Sequence, residues 1–306
     1  MGMITDLRGL TLKTPIISAS GTYGYNNEFD VFCDVKNIGA VVTKAVTLAP
    51  RAGNDWQRIF EVPGGLINSI GLENVGIEKF LEEKLPVLKS ENIEFIVNIA
   101  GSTLDEYLQL ARICDKNSIK AIELNLSCPN VKSGCLEFGT DEDALYEVVS
   151  GVRQEFSGYL AAKLTPNVTS IEKIAAAAEK AGANAVSAIN TVKALGLKLQ
   201  YVNGEFKKEF VHGGLSGRTV KPVALSCVNR ISKAVSIPVI GMGGIYCLDD
   251  VLEFFSVGAE AVQVGTANFT HPDICEKLAN DLEEFMQKNG FTQLDELKCK
   301  LREEVI

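Results

Sequence analysis

Two kinds of hydrophobic period alternate along this chain. Short apolar runs rich in Val, Ile and Ala recur at Ile16–Ser20, Ala40–Thr47, Phe95–Gly101, Ala121–Ser127, Leu160–Thr165, Ala185–Thr191, Val239–Gly244 and Ala261–Thr266. Continuous apolar runs of this length read as strands buried on both faces. Between them, apolar residues recur at helical spacing over Thr103–Cys114, Glu142–Phe156, Ser170–Ala181, Pro222–Val235 and Leu248–Phe255. Eight strands, most followed by a helix, predict an α/β fold: a closed (β/α)8 TIM barrel, in a chain somewhat longer than the typical ~250 residues. An open doubly wound sheet is the competing topology, but no G-x-G-x-x-G follows the first strand.

Two connections are longer than a strand-to-helix loop needs, Leu48–Ser69 after the second strand and Val192–Gly217 after the sixth. Loops of this length are often functional. Asn203-Gly204 within Lys198–Phe210 predicts a two-residue hairpin turn. Both insertions follow strand C-termini, so the expected fold is a barrel with inserted loops and a β-hairpin at the C-terminal mouth. No linker, low-complexity run or repeat divides residues 1–306, which read as one domain.

Composition narrows the function. The net charge of -9 argues against nucleic acid as the main partner. The start of the chain does not read as a secretory signal, and no apolar run is long enough to span a bilayer. Eight scattered cysteines without a C-x-x-C pair suit a reducing cytoplasm rather than a disulfide framework or an iron–sulfur cluster. Two histidines make a His-based metal site improbable, and no metal is expected.

The chemistry concentrates at strand ends. Ala121-Ile-Glu-Leu-Asn-Leu-Ser-Cys-Pro-Asn130 carries a thiol, Cys128, where Pro129 stops the strand, with Asn125 and Asn130 on either side. Free cysteine alone more often behaves as a small hydrophobe. Lys44 and Lys163 interrupt otherwise apolar strands, as do Asn98 and Asn190, and buried groups of this kind need partners. Gly241-Met-Gly-Gly-Ile245 and Val264-Gly-Thr-Ala267 close strands seven and eight, where barrels frequently hold a phosphate. Gly213-Gly-Leu-Ser-Gly217 offers a third glycine loop, and Gly64-Gly-Leu-Ile-Asn-Ser-Ile-Gly-Leu72 a polar one suited to holding an acidic substrate.

In this order and spacing, Ser18-Ala-Ser-Gly-Thr-Tyr-Gly24, Thr43-Lys-Ala-Val-Thr47, Asn68-Ser-Ile-Gly-Leu72, Asn125-Leu-Ser-Cys-Pro-Asn130, Lys163, Ile189-Asn-Thr191, Gly213–Gly217, Gly241–Gly244 and Gly265-Thr266 resemble the dihydroorotate dehydrogenases. These are flavoenzymes of pyrimidine biosynthesis built on a (β/α)8 barrel with FMN at its mouth. The resemblance implies that Cys128 is the base removing the C5 proton of dihydroorotate while hydride leaves C6 for flavin N5. It implies that Lys44, Asn68, Ser69, Ile70, Gly71, Leu72, Asn125, Asn130, Asn190 and Thr191 hold the substrate. Ser20, Lys44, Ala45, Asn98, Asn125 and Ile189 would line the flavin, Lys163 would stabilise its reduced anion, and Gly217, Gly243, Gly244, Gly265 and Thr266 would cradle its phosphate.

Cysteine at the base position resembles the soluble class. Thr47-Leu-Ala-Pro-Arg-Ala-Gly-Asn54 and Asn68–Asn74 resemble its NAD-linked branch. That branch pairs the barrel with a subunit carrying FAD and a [2Fe–2S] cluster, in an expected heterotetramer of two catalytic and two partner chains. Asp55-Trp56-Gln57 departs from that pattern, where prolines are frequent. The alternatives are the fumarate-dependent homodimeric branch, a dihydropyrimidine dehydrogenase-like barrel (which usually has histidine where Asn130 stands) and a flavin-binding module without catalysis.

Overall fold

A computed structural model describes residues 2–25, 35–55, 57–91, 93–127, 129–130 and 136–303. Eight parallel strands close into a barrel in chain order: β1 Ile16–Ser18, β2 Ala40–Val42, β3 Phe95–Ile99, β4 Ala121–Asn125, β5 Tyr159–Leu164, β6 Ala185–Ala188, β7 Val239–Met242 and β8 Ala261–Val264. The seam pairs β8 with β1, Val262 opposite Ile16 and Val264 opposite Ser18. A closed sheet leaves no edge strand, so every backbone group of the inner wall can be paired without a cap.

All eight expected strands are present, but each ends earlier than its apolar run. The run Ala40–Thr47 is strand only over Ala40–Val42, and Val239–Gly244 only over Val239–Met242. Lys44 therefore lies beyond its strand, on the mouth, with its side chain 30% exposed. The correction has a physical cause: regular pairing is interrupted after Val42, where the Lys44 amide donates to the Gly24 carbonyl instead of to β3, and only Val46 returns, as an isolated parallel bridge to Ile99. Lys163, by contrast, is inside β5 and 6% exposed, as expected.

The helices follow from period and caps. Over Ile171–Lys180 the buried positions are Ile171, Ile174, Ala175 and Ala178, the i, i+3, i+4, i+7 stripe of a helix laid on a sheet. Asp141 caps Glu142–Glu155 by accepting from the Ala144 amide at 2.9 Å. Phe254, in the helix Leu248–Ser256, is fully buried, and a methyl group on Gly241 of β7 would collide with its ring. A glycine on that strand lets the helix approach the barrel closely.

The two insertions are not plain loops. Residues 48–69 contain a second, unexpected hairpin, Ile59–Val62 and Gly65–Asn68, turned at Pro63-Gly64 with Gly64 at φ 77°. The expected hairpin spans more than Lys198–Phe210, running as Val192–Val202 and Glu205–Gly217 around Asn203-Gly204, at φ 53° and 85°. The two hairpins join as one antiparallel four-stranded sheet, with Gly214 opposite Asn68 and Leu215 opposite Ile67. Gly213–Ser216 are thus strand residues, and only Gly217, at the end of that strand, retains the character of a loop glycine.

Truncating Phe254 to Ala removes a fully buried ring between helix and barrel. It is expected to cost about 3–5 kcal/mol, read as a lower denaturant midpoint at unchanged slope. A loss below about 1 kcal/mol would show that this packing is dispensable.

Candidate active site

The centre of the barrel is polar, and its organising group was not singled out from the sequence. Glu123 on β4 is 1% exposed. Its carboxylate accepts from Asn98 Nδ2 at 2.8 Å, Ser187 Oγ at 2.7 Å and Gln263 Nε2 at 2.8 Å, and Lys163 Nζ lies 3.9 Å from Oε1. These partners come from β3, β6, β8 and β5. Glu123, Ser187 and Gln263 belong to even-numbered strands, Asn98 and Lys163 to odd ones, the alternation by which barrel interiors are filled in layers. Asn98 Oδ1, Gln263 Oε1 and Ser18 Oγ are buried and have no hydrogen-bond partner among the described residues. Buried polar atoms are rarely left so. The signal was available: glutamate, serine and glutamine within Ala-Ile-Glu-Leu, Ala-Val-Ser-Ala and Ala-Val-Gln-Val are as anomalous as a lysine there.

At the end of β4 the expected asparagines meet. Asn190 Nδ2 donates to Ser127 Oγ at 2.9 Å and contacts Asn125 Oδ1 at 3.3 Å, while Asn125 Oδ1 also accepts from the Ser127 amide at 3.4 Å. Tyr107 OH donates to the Asn125 carbonyl at 2.6 Å and anchors the strand end. Thr191 donates its amide to Asn190 Oδ1 at 2.9 Å, and its carbonyl accepts from Asn167 Nδ2 at 3.0 Å. Ser127, Tyr107 and Asn167 were not singled out from the sequence. Cys128 lies outside the described residues, as do Cys33 and Cys135. Pro129–Asn130 follow as a short strand paired with Leu136–Glu137. Two helical cysteines are poor nucleophile candidates: burial pushes the Cys114 thiol up to about 12 and raises that of Cys227.

The remaining residues line the same mouth. Asn68 Nδ2 donates to the Gly214 carbonyl at 3.0 Å across the four-stranded sheet. Ser69 follows it, its hydroxyl taken by Asn54 at 3.0 Å. Ile70, Gly71 and Leu72 lead to Glu73, whose carboxylate accepts from Arg58 at 2.7 Å and lies 3.6 Å from Lys44 Nζ. Ala45 and Ile189 are buried and Ser20 is half-buried.

The glycine rim is completed by Gly217, Gly243, Gly244, Gly265 and Thr266, with Thr266 Oγ1 donating to Ser216 Oγ at 2.9 Å. Gly243 and Gly244 have φ 123° and 80°, and a Cβ on Gly244 would stand 2.7 Å from Lys221 Cβ. Lys221 is a poor free cation here: its hydrogen bonds to Asp250 (2.6 Å) and Glu253 hold its ammonium above the ordinary range. What this rim could offer an anion is therefore backbone N–H groups and the Thr266 and Ser216 hydroxyls rather than the Lys221 ammonium.

A profile of the dihydroorotate dehydrogenase family matches residues 3–286. The chain belongs to the dihydroorotate dehydrogenase family. A protein of Geotalea uraniireducens named dihydroorotate dehydrogenase B (NAD(+)), catalytic subunit, is 46% identical over 293 residues, covering 95% of each chain. One of the same name from Caldicellulosiruptor saccharolyticus is 43% identical over 297 residues, covering 97% of this chain and 98% of its own. The barrel expected from the sequence is the one found, and these relatives stand in the NAD-linked branch that the motifs pointed to. Among the described residues no helix is long and apolar enough to cross a membrane.

Gly244→Ala places a side chain at a positive φ and against Lys221, and is expected to lower stability by about 1–3 kcal/mol. A thermal melt indistinguishable from that of the unsubstituted chain would show that the rim relaxes without strain.

Proposed function

We propose that this chain is the FMN-bearing catalytic subunit of an NAD-linked, cytoplasmic dihydroorotate dehydrogenase, with residues 1–306 as one barrel domain. It oxidises (S)-dihydroorotate to orotate for pyrimidine synthesis. The observation that carries the reading is the convergence of Asn125, Ser127 and Asn190 at the strand end leading into Cys128, beside a buried floor that contains Lys163 and Asn98. The residues fit a flavin: Asn98 Oδ1 and Ser18 Oγ are buried without partners, and the glycine rim suits a phosphate. FMN, when bound, supplies the hydride acceptor.

The chain's own residues do the rest. Cys128 takes the C5 proton, a role suited to a thiolate. Asn68, Asn125, Asn130, Asn190 and Thr191 orient the planar ring, with the backbone of Ser69–Leu72 covering it. Lys44 offers an ammonium to the substrate carboxylate and borders the flavin, as does Asn125. Ser20, Ala45, Asn98 and Ile189 would pack the flavin ring, and Lys163 would place a positive charge beside it. Gly217, Gly243, Gly244, Gly265 and Thr266 hold the phosphate.

Electrons leave through a partner subunit bearing FAD and a [2Fe–2S] cluster, in a heterotetramer of two catalytic and two partner chains. The relatives' shared description as a catalytic subunit supports a second subunit. One face of the long hairpin also exposes Leu195, Leu197, Leu199, Tyr201, Phe206 and Phe210, and contiguous apolar surface of this kind marks contact with another chain.

Added anaerobically to the FMN-loaded chain, dihydroorotate is expected to bleach the flavin band. The chain alone should then be reoxidised by neither NAD nor fumarate, and NAD should restore the band once a partner subunit is present. Rapid reoxidation by fumarate would instead establish the homodimeric branch, and no bleaching would remove dihydroorotate as substrate. Cys128→Ser is expected to retain FMN but slow bleaching by about a hundredfold or more at pH 7. The unsubstituted chain should speed up toward pH 8.5, about where a free thiol titrates. Undiminished bleaching in the variant would remove Cys128 as the base.

A further inference from the structure

We propose that Glu123 is the positioning residue of the flavin floor, setting which atoms Asn98 and Lys163 offer to the bound ring. The inference rests on FMN occupying the mouth as proposed above.

A carboxylate only accepts hydrogen bonds. Glu123 therefore dictates that Asn98 and Gln263 turn their NH2 groups toward it, as both do at 2.8 Å. The opposite ends of the two amides, Asn98 Oδ1 and Gln263 Oε1, are thereby left as buried acceptors without partners among the described residues. An oxidised isoalloxazine has one ring N–H donor, and an amide with its oxygen presented can take it where a flipped amide cannot. Lys163 is held through charge. Its Nζ stands 3.9 Å from Glu123 Oε1, too long for a hydrogen bond but close enough for strong attraction at 6% exposure. In register, Ala161 pairs with Glu123 and Lys163 with Asn125, so the lysine lies two residues nearer the mouth than the carboxylate. The lysine thus springs from a point nearer the mouth than its counter-charge, tethered by attraction and not by a hydrogen bond.

Glu123→Gln keeps the size of the side chain and removes both constraints: one end of the new amide becomes a donor, and the charge is gone. FMN affinity is read by fluorescence titration, and the midpoint potential of bound FMN by equilibration with reference dyes. The expected result is an FMN dissociation constant raised at least tenfold. The midpoint should be displaced by about 30 mV or more, a tenfold change for a two-electron couple. Should this variant not fold, Ser187→Ala loosens the carboxylate by removing one donor while retaining its charge. It is expected to weaken FMN about threefold, with a midpoint displaced in step.

A merely structural Glu123 predicts a lower melting temperature with both flavin readouts unchanged, and that outcome in whichever variant folds overturns the inference. If the unsubstituted chain itself takes up no FMN, the functional reading fails instead, so the two failures are told apart.

Discussion

A single buried carboxylate gives the barrel its internal logic. Moving a charge from water into a protein interior costs several kcal/mol unless hydrogen bonds and a counter-charge meet it. Glu123 is met on all sides, by Asn98 from β3, Lys163 from β5, Ser187 from β6 and Gln263 from β8. Those contacts exist only when the sheet is closed, because strands on opposite sides of an open sheet could not share one group. Closure and charge burial are therefore mutually dependent. The same contacts leave acceptors and a cation at the floor of the mouth, where a fully apolar core would present nothing to a ligand.

Around that floor the mouth is made by strands that stop early. β2 ends at Val42 and β7 at Met242, each short of the end of its apolar run. The regular ladder is interrupted beyond them, with Val46 returning as an isolated bridge to Ile99, and these segments carry Lys44 and, after β7, Gly243 and Gly244. The rim depends on glycine twice over. Gly243 and Gly244 adopt backbone angles that other residues resist, and a Cβ on Gly244 would meet Lys221, whose ammonium is engaged by Asp250 and Glu253. Above the rim the four-stranded sheet couples two distant insertions, so Asn68 is held by Gly214 and the polar loop Ser69–Leu72 is anchored to the long hairpin.

Much of this was legible one residue at a time. The eight strands and the helical stripes follow from local period, and the Asn203-Gly204 turn from residues that tolerate a positive φ. The order of asparagines, lysines and glycines along the chain was enough to suggest the family. The hairpin at Ile59–Asn68 escaped because its alternation is weak and its stability comes from pairing with residues near 215, far away in sequence. Glu123 escaped because a charged residue in an apolar run is an anomaly without an address: its four partners lie 25 to 140 residues away.

The sequence by itself determined the elements, their order and the residue types available for chemistry, because propensity, period and turn preference act over a few neighbours. The tertiary structure alone decided which of those residues meet, where each strand yields to the mouth and which way the buried amides face. Those are decided by hydrogen bonds and charge pairs between distant strands, and such partners acquire positions only when the barrel closes.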